Sequence, residues 1–399
     1  MAAAAYRADP SEGHPHMSHG FAGQFAPAFL REDGRRTATD NERVVMALLH
    51  RTGTASRADL ARATGLTAQS ITRLVDPLID RGLLVEGAPQ IAGRGKPSAK
   101  LRLNADAAFA VGVSVMTDAV SLVLMDMTGA IRARADARLL SVDFARAAAQ
   151  IASLVDATVI KAALDPARRI GIGVGVTGYF IGDGARLNPP PQLDPWALIP
   201  IDTMLAERLG GPVWVDNDGN VAAVGEAMLG AGRITSDFAY LYFAVGFGGG
   251  VIAGGAQLRG SHGNAGEFAS VLPKGWPQPN LENLRLYLAA QGQPYDDLHA
   301  MLATFDSADP LIDGWLDICT PSFNLVASVI SATLDPDLIV LGGRLPPVLA
   351  ERIIARIRLT NPERRGHHRP APRIVPSTIG PDAAAIGAAM LPLRTAFFA

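Results

Sequence analysis

The sequence predicts an α/β protein in which a small helical head precedes a larger, two-lobed body. Three observations support this fold class. The 399 residues are too many for one ordinary hydrophobic core. The segment 39–104 holds short helical patterns separated by glycines, and the rest of the chain alternates buried strands with helices. A strand-rich pattern begins near residue 109 and again near residue 238, so the body is expected to contain two related halves.

Composition restricts the class of protein further. Apolar residues make up 48% of the chain and charged residues 19%, which is typical of a well-packed globular protein. No apolar run is long enough to cross a membrane, so no membrane partner is expected. Cys319 is the single cysteine, so the chain cannot build a disulfide framework or a thiolate zinc cluster. A cytoplasmic protein is therefore expected, with residues 1–38 as a mobile N-terminal tail.

Charge is distributed unevenly along the chain. The stretch from Arg31 to Arg102 carries a net charge of +5, whereas the part from Leu103 onward carries −6. A basic head on an acidic body favours a head that meets phosphate groups and a body that does not.

The head, residues 39–104, shows the sequence signals of three short helices. A capping-box spacing opens the first helix at Thr39, and further caps open the second at Ser56 and the third at Thr67. A glycine follows each of the first two helices. The residues expected to face the core of the head are Val44, Val45, Leu48, Leu49, Leu60, Ala61, Ala63, Leu78, Ile79 and Leu83.

The third helix is predicted from Thr67 to Val75, and its apolar stripe continues past Pro77, where proline can bend a helix. A strand is predicted at residues 82–85, and the segment 92–97 is extended, slim and cationic. The order of helix, helix, glycine turn, helix and strand is that of a winged helix-turn-helix.

The chemistry of the third helix and of the wing indicates DNA binding. Small and polar side chains at the start of the helix allow close approach to base edges. Gln69 can pair with adenine and Arg73 with guanine or phosphate, and the cationic segment suits a minor groove. The predicted DNA contacts are Arg57, Thr67, Ala68, Gln69, Ser70, Thr72, Arg73, Arg94 and Lys96. A three-helix unit can also mediate protein contacts, and that alternative stays open.

Beyond an expected joint at residues 101–106, the body alternates strands and helices. Strands are predicted at 109–116, 121–125, 131–139, 170–176, 212–215 and 238–245, and helices at 144–164, 201–209 and 220–229. A glycine-rich hairpin is predicted at 246–255. Two lobes that each start with a three-stranded meander predict an actin-like, ribonuclease H-like ATPase-type fold with a cleft. The first lobe is placed at residues 105–228, joined again by 381–399, and the second at 229–380.

Four motifs occur in the body in a fixed order. They are Asp216-Asn217-Asp218-Gly219-Asn220 with Glu226, Gly260-x-x-Gly263-x-Ala265-Gly266-Glu267, the run from Leu334 to Gly343, and Ala385-Ile386-Gly387-Ala388-Ala389. Together these motifs resemble the signatures of the ROK family, which contains repressors, open reading frames and sugar kinases. The resemblance covers residues from about 107 to 392, and the repressor branch of the family carries a helix-turn-helix head.

The resemblance implies a sugar held between the lobes. It implies that Asn217 and Asp218 bind sugar hydroxyls, with Asp218 at the position of the kinase general base. The other sugar-binding positions that it implies are Asn188, Glu267, Ser270 and Glu282. Carboxylates and carboxamides supply the directional donors and acceptors that a polyol needs. Taken alone, residues 216–218 are equally typical of a polar strand-to-helix turn with an N-cap.

The phosphate-binding segments depart from the family pattern. Sugar kinases of the family begin the body with Asp-x-Gly-Gly-Thr-Lys, whereas residues 114–119 read Ser-Val-Met-Thr-Asp-Ala. The glycines that admit a phosphate are replaced, and Asp118 adds negative charge there. The second glycine-rich loop begins with Ala244 and Val245, and its remaining glycines favour a tight hairpin. No kinase activity, catalytic residue or cofactor is therefore expected.

The resemblance also implies the loss of a structural zinc site. Ser270 stands at the position of the family's histidine ligand, and Pro273, Gly275 and Asn280 stand at its cysteine positions, close to Glu282. No thiolate remains to build a tetrahedral site, so no metal is expected.

Three functional hypotheses follow. The first is a repressor, dimeric or tetrameric, whose affinity for operator DNA changes when a sugar closes the cleft. The second is an active sugar kinase with a regulatory head, against which residues 114–119 argue. The third is a regulator whose body is only a dimerisation scaffold, which the replacement of the family's histidine by Ser270 favours.

Overall fold

The structure is a computed structural model that describes residues 38–87, 99–182 and 185–398. Its head is a winged helix-turn-helix, as the sequence predicts. A three-stranded sheet of order β1-β3-β2 lies beside three helices. The elements of the head are α1 (Asp40–Thr52), β1 (Ala55–Ser56), α2 (Arg57–Thr64), α3 (Ala68–Asp80), β2 (Leu84–Glu86) and β3 (Lys100–Leu103). The tail predicted at residues 1–38, apart from Ala38, and the cationic segment predicted at 92–97 lie outside the described residues.

The three predicted helix starts are confirmed. Thr39 and Ser56 each form a capping box, in which the side chain and the third helical residue satisfy each other's free amides. The hydroxyl of Thr67 accepts a hydrogen bond from the amide of Ser70 at 3.1 Å. α3 continues through Pro77 to its end at Asp80, five residues beyond the predicted end.

Two of the predicted core positions of the head are wrong. Val44 is 41% exposed because it lies at the edge of the α1 stripe, which is centred on Val45, Met46 and Leu49. Ala63 is exposed because the short helix α2 buries a single side chain, Leu60.

The predicted joint at residues 101–106 is also partly wrong. β3 pairs with β1 and β2, and Leu101 within it is fully buried. The connection to the body therefore begins at Asn104, whose side-chain amide donates to the carbonyl of Gly82 at 2.7 Å.

The first half of the body contains a five-stranded sheet of order β10-β7-β4-β5-β6. β4, β5 and β6 form the predicted antiparallel meander, and β7 and β10 add to it in parallel. The elements are β4 (Phe109–Val115), β5 (Ala119–Asp126), β6 (Ile131–Arg138), α4 (Phe144–Lys161), β7 (Arg169–Val176), β8 (Tyr179–Phe180), β9 (Leu187–Asn188), α5 (Ile201–Leu209), β10 (Val213–Asn217) and α6 (Asp218–Leu229).

The second half repeats this topology. Its five-stranded sheet has the order β15-β14-β11-β12-β13, again a meander with two parallel strands added. The elements are β11 (Phe238–Phe243), β12 (Phe247–Ala253), β13 (Ala256–Leu258), α7 (Leu281–Ala290), α8 (Leu298–Ala303), α9 (Leu311–Thr333), β14 (Leu338–Gly343), α10 (Pro347–Arg356), β15 (Arg373–Pro376) and α11 (Ala383–Phe397). The expectation of two related lobes in an actin-like fold is confirmed.

The last helix of each half packs on the sheet of the other half, and the two helices pack on each other. α6 lies against β11 and β12, and α11 lies against β4 and β7. Glycines make these contacts close: a Cβ on Gly112 would lie 1.9 Å from the carbonyl oxygen of Ala385, and one on Gly387 would lie 1.6 Å from that of Val221. The two halves therefore form one interlocked body.

The head is docked on the body by a continuous apolar core. Buried side chains of α1 and α3 belong to the same cluster as those of α11 and β5. The guanidinium of Arg43 donates to the carbonyl of Phe398 at 2.7 Å and to that of Arg394 at 3.1 Å. The ring of His50 contacts the ring of Phe398, with 4.7 Å between their centroids. α11 is therefore in contact with both the head and the first sheet of the body.

Two predicted elements are shorter than expected. α4 ends at Lys161 rather than 164, because Ala163 adopts a left-handed backbone with φ of 52°. β11 ends at Phe243 rather than 245, because Ala244 already turns toward Gly246.

Candidate functional site

A cavity of about 200 Å³ opens between the two lobes. Loops at the carboxyl ends of the strands form it, which is where open α/β sheets usually bind ligands. Its lining consists of Thr177, Gly178, Tyr179, Asn188, Pro189, Pro190, Asn217, Asp218, Tyr242, Ala244, Gly246, Phe247, Gly248 and Glu267. Four of the six predicted sugar-binding residues are thus brought together here.

The turn from β10 into α6 supplies Asn217 and Asp218. Asn217 is the N-cap of α6: its side-chain oxygen accepts from the amide of Asn220 at 3.1 Å. Its side-chain amide donates to the carbonyl of Gly178 at 2.8 Å. The structural reading of this turn as a capped polar corner is therefore confirmed, and the cap holds Asp218 at the wall of the cavity.

Two carboxyl groups line this cavity, and burial raises the pKa of each. Burial raises the pKa of Asp218 to about 6, although hydrogen bonds from the Thr177 hydroxyl and the Gly219 amide act in the opposite direction. Burial also raises the pKa of Glu267, and the nearby charge of Asp218 raises it further. The two groups can therefore accept hydrogen bonds when ionised and donate them when protonated.

The cavity is also lined by Asn188 and by Tyr179, a residue that was not predicted from the sequence. The side-chain amide of Asn188 donates to the hydroxyl of Tyr179 at 2.6 Å. Tyr179 remains 45% exposed, so its ring presents an apolar face beside polar groups. Its place directly after a buried strand and Gly178 is the signal that could have identified it.

The two remaining predicted sugar residues lie elsewhere. Ser270 is exposed in a short 3-10 helix, and it does not line the cavity. Glu282 lies on α7, where its carboxylate forms an ion pair with Arg285 at 2.6 Å. The spacing carried over from the family therefore does not bring these two side chains to the lining of the cleft.

A second network, which the sequence analysis also missed, holds the lobes together behind this cavity. Asp216 is fully buried and pairs with Arg259 of the other lobe. Asp216 also accepts from the amide of Asn217 at 2.8 Å. Asn264 exchanges two hydrogen bonds with the backbone of Phe180, at 2.7 and 3.0 Å. The loop that carries Glu267 is thereby fixed against the first lobe.

The lobes also meet at the segment that corresponds to the first phosphate loop. Asp118 forms an ion pair with Arg344 of the second lobe at 2.6 Å, and both side chains are less than a tenth exposed. The other carboxylate oxygen accepts from the amide of His299 at 2.8 Å. The negative charge expected at Asp118 is present, but an arginine neutralises it, so this end of the cleft is closed by an interlobe ion pair.

The second glycine-rich loop is a hairpin between β11 and β12, as preferred from the sequence. Gly249 and Gly250 are required for packing: a Cβ on Gly250 would lie 2.7 Å from the Cβ of Ala223. A Cβ on Gly248, in contrast, meets nothing within 4 Å, and this residue lines the cavity.

The start of α3 presents the predicted DNA-reading residues. Five of them are exposed and Ser70 is partly buried, hydrogen-bonded to Thr67. Among the described residues, Gln69 and Arg73 have no hydrogen bond or ion pair, so both side chains are available to a ligand. The exposed positions are Thr67, Ala68, Gln69, Thr72 and Arg73.

Three other predicted DNA contacts are placed differently. The guanidinium of Arg57 pairs with Asp76 at 3.0 Å and with Glu86, so it joins α2 to α3 and to the wing sheet. These two carboxylates compete with any phosphate contact of Arg57. Arg94 and Lys96 lie outside the described residues.

Within the described ranges, no group of three or more His, Cys, Asp or Glu side chains is arranged to hold a metal ion. In the same ranges, no helix is long and apolar enough to span a bilayer.

A winged helix-turn-helix docked on a two-lobed body with an interlobe cleft defines a class: a DNA-binding fold fused to a sugar-kinase-like, actin-like fold. Residues 111–277 match the ROK family, and residues 39–95 match the MarR family. The chain therefore contains a body region similar to the ROK family, preceded by a MarR-like winged helix-turn-helix head.

Two relatives illustrate the range of similarity. The uncharacterized protein y4fQ of Sinorhizobium fredii is 29% identical over 359 residues, which cover 90% of this chain and 92% of that protein. The xylose repressor of Caldicellulosiruptor bescii is 27% identical over 213 residues, or 53% of each chain. The match thus spans about half the length of that repressor.

Two solved structures share the fold. A ROK family transcriptional regulator, a homologue of the E. coli MLC protein, has a TM-score of 0.63 at 21% identity, covering 90% of this chain and 96% of its own. A ROK glucokinase from Streptomyces griseus has a TM-score of 0.59 at 22% identity, covering 71% of this chain and 98% of its own. The regulator therefore matches head and body together.

Proposed function

We propose that this protein is a sequence-specific transcriptional repressor whose binding to operator DNA is modulated by a sugar in the interlobe cleft. One observation carries the proposal: the DNA-reading head and the polar cavity are parts of one packed unit. α1 of the head packs on α11, and α11 packs on the first sheet, whose loops form the cavity. A ligand that binds one lobe arrangement better than another then shifts the head as well.

The head supplies the DNA chemistry. Gln69 and Arg73 are exposed on the helix that would enter the major groove, where a carboxamide suits adenine and a guanidinium suits guanine. Two heads on a homodimer or homotetramer would read a two-fold symmetric operator. We propose that the protein is cytoplasmic, in the compartment that contains its operator DNA.

The cleft supplies the sugar chemistry. Asp218, Glu267 and Asn188 offer hydrogen-bonding groups to the hydroxyls of a ring, and the face of Tyr179 offers apolar contact. The volume of about 200 Å³ suits a monosaccharide rather than a larger glycan. A xylose repressor and a glucokinase among the relatives support a sugar as the ligand.

The body is proposed to lack kinase activity and to need no cofactor. A transferred phosphate requires a glycine-lined approach and positive charge. The ion pair of Asp118 with Arg344 fills the corresponding position, and it uses the cation that a phosphate would need. Coupled-enzyme assays with ATP and a panel of sugars test this point, and any phosphorylated sugar would overturn it in favour of a kinase with a regulatory head.

Operator binding is tested with DNA fragments enriched by selection with the full chain. Arg73→Ala is expected to weaken binding by about 1–3 kcal/mol, the usual contribution of a bidentate base contact. Arg208→Ala, on an exposed position of the body, is the matched control and is expected to leave the affinity unchanged. Equal effects of the two substitutions would contradict the role of α3.

Sugar modulation is tested by fluorescence anisotropy of operator DNA across a panel of monosaccharides. Glu267→Gln is expected to abolish the sugar response without changing operator affinity in the absence of sugar. Glu282→Gln is the matched control, because Glu282 pairs with Arg285 outside the cavity. If the unmodified protein ignores every sugar, the scaffold hypothesis replaces the sensor.

A further inference from the structure

A second cavity, of about 190 Å³, lies between the head and the body. Its walls come from α1 of the head and from α6, α11 and the β12–β13 hairpin of the body. It shares no lining residue with the interlobe cleft. Any molecule bound here would touch the DNA-binding head and the body at the same time.

The charge in this cavity is positive and uncompensated. Arg394 lines it, and within the described part of the chain its guanidinium has no hydrogen bond and no carboxylate partner. None of the lining residues that the structure describes is Asp or Glu. Burial lowers the pKa of Arg394, and the positive charges of Arg259 and Arg43 lower it further. A partly buried cation that is surrounded by cations is costly unless an anion accompanies it.

The neighbours of Arg394 are already engaged. Arg259 pairs with the buried Asp216, and Arg43 donates to the backbone carbonyls at the end of α11. Arg394 is therefore the cation of this group that remains for a ligand.

The head side of the same cavity holds a second unsatisfied group. The Nε2 atom of His50 is buried and has no hydrogen-bond partner. Burial lowers the pKa of His50, against the opposing effect of Asp126, so the ring is neutral at neutral pH. Buried polar atoms normally find a hydrogen-bond partner. The His50 side chain lines the cavity, and its Nε2 atom is left without a partner inside the wall.

We propose that this cavity is a binding site for a small oxyanion, a carboxylate or a phosphate group, held by Arg394 and bordered by His50. A planar guanidinium is suited to bidentate contact with either group. Because its walls belong to both head and body, a bound anion favours the docked position of the head. The site is separate from the sugar cleft and constitutes a second input to the same head.

One residue connects the two sites. Gln257 lines the head–body cavity, and its side-chain amide donates to Asp216 at 3.3 Å. Asp216 in turn accepts from the amide of Asn217 in the sugar cleft. If anion and sugar favour the same arrangement, each will raise the affinity for the other by the same factor.

The site is tested by isothermal titration calorimetry and thermal unfolding of the full chain without DNA or sugar. Sodium phosphate and sodium malonate are compared with sodium chloride at equal ionic strength in Tris buffer. We expect saturable binding and a rise in Tm with at least one of the two oxyanions. A response to phosphate identifies a phosphate group as the ligand, and a response to malonate identifies a carboxylate.

Variants assign the binding to Arg394. Arg394→Met is expected to weaken oxyanion binding at least tenfold, whereas Arg51→Gln, an exposed arginine of α1, is expected to bind as the unmodified protein does. If Arg394→Met does not fold, Arg394→Lys keeps the charge but loses the bidentate geometry and should bind several-fold more weakly. A Tm indifferent to both oxyanions, or equal binding by all variants, would overturn the proposal. Because no sugar or DNA is present, this outcome is independent of the proposed repressor function.

Discussion

The two ends of the interlobe cleft use carboxylates in opposite ways. At the end that holds the cavity, Asp218 and Glu267 face open space, and burial raises the pKa of each. At the end that corresponds to the phosphate loop, Asp118 is paired with Arg344 and the space is closed. One end therefore keeps an open polar cavity, and the other is part of the interlobe packing.

Under the proposed function, this difference accounts for a fold that binds a sugar without phosphorylating it. Phosphoryl transfer needs both ends, since one positions the sugar and the other the phosphate. A sensor needs only the sugar end, together with a lobe interface whose geometry responds to it. An ion pair at the closed end joins the two lobes. Under the proposed function, no phosphate has to enter there.

The largest expected effect comes from breaking the ion pair at the closed end. Arg344→Ala leaves Asp118 buried without a counterion and is expected to lower the free energy of unfolding by about 3–5 kcal/mol. Urea denaturation measures it. The double variant Asp118→Ala with Arg344→Met removes both charges and should recover most of the loss. A loss under about 1 kcal/mol for Arg344→Ala would mean that the lobes are not held here.

At the open end, substitution of Asp218 is expected to change the free energy of unfolding by a smaller amount and in the opposite direction. The pKa of Asp218 is raised from 3.8 to about 6, so the folded state binds more protons than the unfolded state between these values. Stability therefore falls as pH rises from about 4 to 6, and ionised Asp218 costs up to about 3 kcal/mol above that window.

Asp218→Asn removes this cost. The variant is expected to be more stable than the unmodified protein at pH 7, and the difference should vanish near pH 4. Thermal unfolding across pH 4–7 measures the difference, with Asp106→Asn, an exposed carboxylate, as the control. A difference that does not change with pH would show that Asp218 is not buried in its charged form.

The smallest change in the free energy of unfolding is expected from breaking a second interlobe ion pair near the closed end. Arg138 pairs with Asp297, but the arginine side chain is 60% exposed. Arg138→Gln is therefore expected to cost less than about 1 kcal/mol and to become undetectable at high salt. A cost comparable with that of Arg344→Ala would show that exposure does not separate the two pairs.

Much of the head and of the fold was predictable because the signals are local. A capping box needs a hydroxyl and a carboxylate three residues apart, so Thr39 and Ser56 identify two helix starts without any tertiary information. The meander at the start of each half follows from strand patterns close together in the chain, and so does the hairpin between β11 and β12. The exposed start of α3 follows from its polar residues.

The sugar end was predictable in part. Asn217 and Asp218 follow a buried strand, and this position at its carboxyl end places them at the cleft. Glu282 was predicted to bind the sugar, but its carboxylate pairs with Arg285 and does not line the cavity. Tyr179 was missed because a tyrosine after a strand has no distinctive pattern.

The sequence by itself determined the order of elements, the helix ends, the duplicated topology and the chemical types of the cleft residues. These features depend on neighbours within a few positions or on periodicity. Only the tertiary structure shows that Asp118 meets Arg344, 226 residues away, and that no carboxylate of the described residues lies beside Arg394. Whether a charge is compensated depends on which distant groups the packing brings within hydrogen-bonding distance. The local sequence does not show which groups these are.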